Sequence, residues 1–79
     1  MFDYNICDQA DPDIFYKQCR ALETNIPGLK PFKLLEDVDG TLMQRYKHDS
    51  GLIIVMNDTE VDSVYIISEF DLLPYFKKQ

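Results

Sequence analysis

The sequence predicts an α+β domain in which a helix packs on an antiparallel sheet, and three observations carry that reading. Apolar residues fall at helical spacing between Pro12 and Thr24. From Phe32 to Ser68 they alternate or gather into short β-branched runs. The stretches between those runs are too short for a helical crossover, so neighbouring strands turn back on one another. The expected order is an N-terminal helix, which a short strand can precede, a four-stranded antiparallel β-meander, and a short C-terminal helix. The 79 residues are read as a single small domain, 1–79, because a chain of this size supports one core and buries roughly 60 to 65% of its unfolded surface.

Phe2, Tyr4 and Ile6 alternate with Asp3 and Asn5, the period-two pattern of a half-buried strand. Asp11 can then cap a helix whose first position is taken by Pro12, where a missing N–H costs nothing. The helix should run from Pro12 to Thr24 with Phe15, Cys19 and Leu22 as its buried stripe and Ile14 and Ala21 beside it. Asn25-Ile26-Pro27-Gly28 ends it, since Asn and Gly accept left-handed backbone angles and Pro donates no hydrogen bond.

Two strands, Phe32 to Glu36 and Leu42 to Lys47, flank Val38-Asp39-Gly40, a three-residue loop with glycine where a bulged hairpin needs a left-handed residue. Setting Asp37 opposite Thr41 sorts Phe32, Leu34, Leu42 and Tyr46 onto one face and Lys33, Leu35, Met43 and Arg45 onto the other. His48-Asp49-Ser50-Gly51 leads into the central hairpin, Gly51 to Ser68, broken by Asn57-Asp58-Thr59-Glu60. It adds Ile53, Val55, Val64 and Ile66 to the first face and Leu52, Ile54, Met56, Val61 and Tyr65 to the second. Ser68-Glu69-Phe70-Asp71 has capping-box spacing for a last helix anchored by Phe70, Leu72, Leu73 and Phe76. Pro74 interrupts or restarts it, and Lys77 and Lys78 suit its C-terminus.

With 46% hydrophobic and 28% charged residues and no low-complexity tract, the chain has an ordered, globular composition. Its net charge of -6 argues against direct nucleic-acid binding, which needs a concentrated Lys/Arg surface, and favours a basic partner or simply solubility. No stretch reads as a leader or approaches the roughly 20 apolar residues of a membrane span, so a cytoplasmic protein without membrane contact is expected. Cys7 and Cys19 stand outside any Cys-x-x-Cys or Cys/His pattern and are read as reduced, mostly buried thiols. His48 is the only histidine, beside Asp49 in a turn, which points to a solvated residue. No cofactor is expected.

Asp37-Val38-Asp39-Gly40-Thr41-Leu42, preceded by Phe32, Leu34 and Leu35, resembles the first motif of the haloacid dehalogenase superfamily of phosphohydrolases. That resemblance implies a doubly wound parallel sheet, with Asp37 as the nucleophile attacking phosphorus, Asp39 as general acid/base, and both helping to hold a magnesium ion. It spans six residues. From Met43 the chain continues as strand and turns back at His48, where the family's architecture requires a crossover helix. An Asp-Gly turn accounts for the same residues by hairpin chemistry, and this reading takes precedence.

The second sheet face is the more informative feature. The first helix can cover one face only, so either the short, broken last helix and the N-terminal strand cover the other or a partner does, and on the second alternative Leu35, Met43, Arg45, Ile54, Met56 and Tyr65 are the candidate partner-binding residues. Adaptable Met, with Tyr and Arg as anchors, suits a protein interface. The function expected is a small acidic, non-enzymatic interaction module of the inhibitor, immunity, antitoxin or adaptor kind. It would bind a protein partner, or itself, through this face or through the acidic hairpin loops carrying Asp37, Asp39, Asp58, Glu60 and Asp62. A small-ligand or metal-binding module is the alternative, and a phosphohydrolase using Asp37 and Asp39 comes after it.

Overall fold

The computed structural model describes residues 1–76. Strand β1 (Phe2–Cys7) leads through Asp11 into helix α1 (Pro12–Asn25). The chain then forms β2 (Lys30–Pro31), β3 (Leu35–Glu36), β4 (Leu42–His48), β5 (Gly51–Asp58) and β6 (Ser63–Ser68), and finishes the described part with α2 (Leu73–Phe76). The sheet has six strands in the order β1-β6-β5-β4-β2, with β3 also on β4, and every pairing is antiparallel. The fold is therefore α+β, as the sequence predicts. It is wider than the expected meander because β1 joins β6 at one edge while the first meander strand is split in two at the other.

Helix α1 begins where the sequence places it. Asp11 is extended (φ -149°), and its carboxylate accepts from the Asp13 and Ile14 amides at 2.9 and 3.4 Å. Its stripe of Phe15, Cys19 and Leu22 packs with Ile26 and Leu72 onto Leu42, Tyr46, Ile53, Val55, Val64 and Ile66, all buried. Each large apolar side chain buried in this way contributes about 1.5–3 kcal/mol. Helix α2 lies on the same side. Its Tyr75 and Phe76 pack on this core, and the Phe76 ring meets Tyr4 edge-on at 5.2 Å. Among the described residues, then, both helices cover one face of the sheet.

The hairpin at Gly40 has the expected register. The Asp37 amide donates to the Thr41 carbonyl at 2.9 Å, and Gly40 takes φ +92°. The edge strand departs from expectation. Pro31 pairs with Tyr46, the Phe32 amide donates to the Arg45 carbonyl at 2.9 Å, and Leu35 pairs with Met43. Four steps along the edge strand thus match three along β4, and Lys33 and Leu34 share the place opposite Gln44. This bulge reverses the alternation. Leu34 still packs on the core, but Phe32, expected there, lies on the opposite face at 42% exposure.

Two further expectations are corrected. Val61 belongs to the loop of residues 59–62, closed by Asp62 at φ +55°, and is exposed rather than on a strand face. Ser68 does not cap a helix: it ends β6 fully buried, and its hydroxyl accepts from the Phe70 amide at 3.1 Å and donates to the Phe70 carbonyl at 2.6 Å. The last helix starts at Leu73, whose amide donates to Asp71 at 3.0 Å, with Pro74 in its first turn, where no N–H is needed. Lys77 and Lys78 lie outside the described residues.

Candidate functional site

Strand register sets the face opposite the helices into rows that run across the sheet. One row reads Asp3, Ile67, Ile54, Arg45 and Phe32 from the β1 edge to the β2 edge. The next reads Asn5, Tyr65, Met56, Met43 and Leu35. A third carries Glu69, Leu52, Lys47 and Lys30. All six candidate partner-binding residues therefore lie in two adjacent rows on one side of the sheet. Alternation along the strands puts them there, because a period of two gives every strand a second face whether or not anything packs on it.

Long side chains partly shelter the surface. Met56, at its centre, is only 9% exposed, whereas Leu35 at the rim is 43% exposed. The Arg45 guanidinium sits 5.1 Å from the centre of the Phe32 ring, a cation–π arrangement. Its Nε is buried without a hydrogen-bond partner among the described residues. The Tyr65 hydroxyl donates to Asp58 at 3.1 Å; burial first, and that carboxylate second, push its pKa above the ordinary value. Two shallow hollows flank the middle. One of about 290 Å³ is lined by Leu35, Glu36, Asp37, Thr41 and Met43, and one of about 70 Å³ by Met1, Leu52, Ile54, Ile67, Ser68 and Glu69.

Reading by strand missed Asp3, Asn5 and Ile67, although the signal was present, since residues alternating with core-facing Tyr4 and Ile66 must point the other way. Phe32 carried no such signal, because the bulge that turns it has no glycine or other marker in the sequence.

Asp37 and Asp39 stand together at the β3–β4 turn, but each serves its own loop. Asp37 accepts from the Val38 amide at 2.8 Å and Asp39 from the Thr41 amide at 3.0 Å. The Thr41 amide, with the Thr59 and Thr41 hydroxyls, holds the Asp39 carboxyl below its ordinary pKa, and Asp39 is fully exposed. The strands around them are antiparallel, so the parallel sheet implied by the phosphohydrolase resemblance is overturned. The Thr41 and Thr59 hydroxyls meet at 2.8 Å and tie this turn to the loop after β5. Asp37, Asp39, Asp58, Glu60 and Asp62 thereby collect at one end of the sheet. Among the described residues no group of three His, Cys, Asp or Glu side chains is placed to hold a metal ion. Cys7 and Cys19 are both free thiols, Cys19 buried. His48 is less solvated than its turn suggests, stacking on Phe70 at 4.9 Å. No helix among the described residues is long and apolar enough to cross a membrane. No protein-family model matches the chain, and neither a curated protein nor a solved structure matches it.

Proposed function

We propose that the protein is a small, non-enzymatic interaction module that binds a protein partner through the open sheet face. It would act as an inhibitor, immunity protein, antitoxin or adaptor does, by occupying a surface rather than by turning over a substrate. One observation supports the reading: Leu35, Met43, Arg45, Ile54, Met56 and Tyr65 form a continuous patch with both described helices on the other side of the sheet. Large contiguous apolar patches are uncommon on monomers and usually mark a contact surface. The patch has a sheltered Met–Met–Tyr centre and a charged rim, the anatomy of an interface.

The test is capture of partners by the immobilised protein and by a Leu35→Asp, Met43→Glu variant whose fold is checked by circular dichroism. A protein retained by the wild type and lost by the variant is the expected result. Partners retained equally by both would move the contact away from this face. A second reading rests on the Thr41–Thr59 contact, which gathers the acidic loops at one end for a basic partner. Retention through that end would fall steeply with salt, whereas retention through the apolar face would persist.

A further inference from the structure

The two edges of the sheet are unlike. At the β2–β3 edge, Lys30, Pro31, Lys33 and the bulge at Lys33 and Leu34 discourage a further strand. The β1 edge holds no proline, glycine or lysine, and its one irregularity lies between Asn5 and Cys7. The phase of the ladder fixes which of its backbone groups are free. The Glu69 amide donates to the Leu52 carbonyl at 3.0 Å, so residues 52 and 69 form a hydrogen-bonded pair, and alternation along β6 directs Ser68 and Ile66 toward β1. Their partners Phe2 and Tyr4 point inward. The N–H and C=O of Asp3 and Asn5 therefore point outward, without partners among the described residues.

We propose that this edge pairs antiparallel with β1 of a second copy, about a two-fold axis that passes through Tyr4 perpendicular to the sheet, so that the two sheets become one. The stretch Phe2-Asp3-Tyr4-Asn5-Ile6 reads alike from either end, apolar, polar, aromatic, polar, apolar. Centred on Tyr4, it sets Asp3 opposite Asn5 of the second copy and Asn5 opposite Asp3, so all four outward groups of each chain bond at once. On the helix side Phe2, 42% exposed, meets Ile6 of its mate, and the Tyr4–Phe76 ring pairs of the two copies come alongside one another. Tyr4 is held for this by its own chain, its hydroxyl donating to Asp71 at 3.0 Å and accepting from the Leu72 amide at 2.8 Å. Other registers fit less well. A centre at Asp3 sets carboxylate on carboxylate, and a centre at Asn5 sets Asp3 opposite Cys7, which is paired with Val64 past the irregularity. The proposal uses the sheet edge and does not depend on the open-face reading.

Sedimentation equilibrium of the purified chain tests this, together with amide hydrogen exchange read by NMR. A weak dimer is expected, because a five-residue pairing covers less than the roughly 800 Å² per partner of a standard interface. Asp3→Pro removes one outward N–H and leaves the bonds of Phe2 and Tyr4 to β6 in place, and it should weaken the dimer about tenfold or more. Exchange at Asp3 and Asn5 should slow as protein concentration rises, while Tyr4 stays protected throughout. That second measurement decides the matter if Asp3→Pro fails to fold by circular dichroism. The charges nearest the axis are acidic, Asp3 and the Asp8 that accepts from Asn5 at 2.7 Å, so added salt should tighten the pairing. Wild type that stays monomeric into the submillimolar range overturns the proposal. So does a dimer whose Asp3 and Asn5 amides exchange freely, and so does one abolished by Leu35→Asp, Met43→Glu but untouched by Asp3→Pro, which is formed through the open face.

Discussion

The hydroxyl of Tyr46, a residue with no exposed surface in the middle of the sheet, donates to the Glu23 carboxylate of α1 at 2.6 Å. It also lies 3.4 Å from the Cys19 carbonyl, so one phenol fastens the helix to the sheet at the level of its last turns. Glu23 is exposed and regains water when the bond is lost. Tyr46→Phe is therefore expected to cost about 1.5 kcal/mol, the low end for bonds to charged groups. Tyr46→Ala, which also empties the core, should cost about 3–5 kcal/mol. Urea denaturation of the two variants measures both values.

The same phenol makes a prediction about alkaline pH. Burial, and then the bond to Glu23, push its pKa far above the ordinary 10.0. In the folded protein the group keeps its proton, whereas in the unfolded chain it releases it near pH 10. Its stabilising contribution is complete below that pH and is lost as pH rises past it, with a slope of up to about 1.4 kcal/mol per pH unit. Tyr46→Phe should flatten the fall in unfolding free energy above pH 10 relative to wild type. Parallel curves for the two proteins would show that Tyr46 titrates alike in both states.

The sequence places Asn57 at the start of a turn, yet it is 1% exposed and still within β5. Its Oδ1 accepts from the Asp11 amide at 2.8 Å and its Nδ2 donates to the Gly40 carbonyl at 3.4 Å, joining the start of α1 to a hairpin loop. Asn57→Ala leaves a part-buried amide unpaired beside a small void, so a loss of about 1–3 kcal/mol is expected. Chemical denaturation should place this variant well below Asp58→Ala, whose Oδ1 and Oδ2 bonds are to exposed or part-buried loop and Tyr65 groups.

Asn57 also indicates which parts of the fold were legible in the sequence. Patterns that act locally were: the Asp11–Pro12 helix start, the Gly40 turn, and the sorting of Leu42, Tyr46, Ile53, Val55, Val64 and Ile66 to one face. The candidate surface was legible for the same reason, as the other half of a period-two pattern. What escaped depends on distant partners. Asn57 looks like any turn asparagine until the Asp11 amide arrives, and Ser68 looks like a cap until its hydroxyl closes onto Phe70. The bulge at Lys33 and Leu34 arises from pairing with β4 and leaves no composition of its own.

Gly51 joins the β4–β5 turn to β5 with φ +138°, and a Cβ placed there would lie 2.7 Å from Cβ of Glu69. The Glu69 carboxylate meanwhile accepts from the Leu52 amide at 2.7 Å. Gly51→Ala faces two separate penalties, a backbone conformation that alanine rarely adopts and a collision with Glu69. A loss of about 2–3 kcal/mol is expected. In a Glu69→Gly background the collision is gone and the backbone penalty remains. The double-mutant cycle should show Gly51→Ala costing less there, and full additivity would mean that the contact contributes nothing.

Asp37 and Asp39 offer the last prediction, since their arrangement can be read as chemistry or as turn structure. If they serve the turn, the purified protein with magnesium hydrolyses an aryl phosphate no faster than Asp37→Asn does. Faster turnover by the wild type would reinstate the catalytic reading. The pH dependence runs in the direction set by Asp39, whose carboxyl is held below its ordinary 3.8, chiefly by the Thr41 amide. Its contribution to stability is present above that value and disappears as pH falls through the lower folded pKa. Asp39→Asn, which keeps an oxygen acceptor for the Thr41 amide without the charge, should be the less stable of the two proteins at neutral pH and should lack part of the acid sensitivity, so that the difference closes as pH falls. Denaturation midpoints of the two proteins between neutral pH and the acid limb separate the outcomes: curves that converge as pH falls support the turn role, and curves that stay parallel count against it.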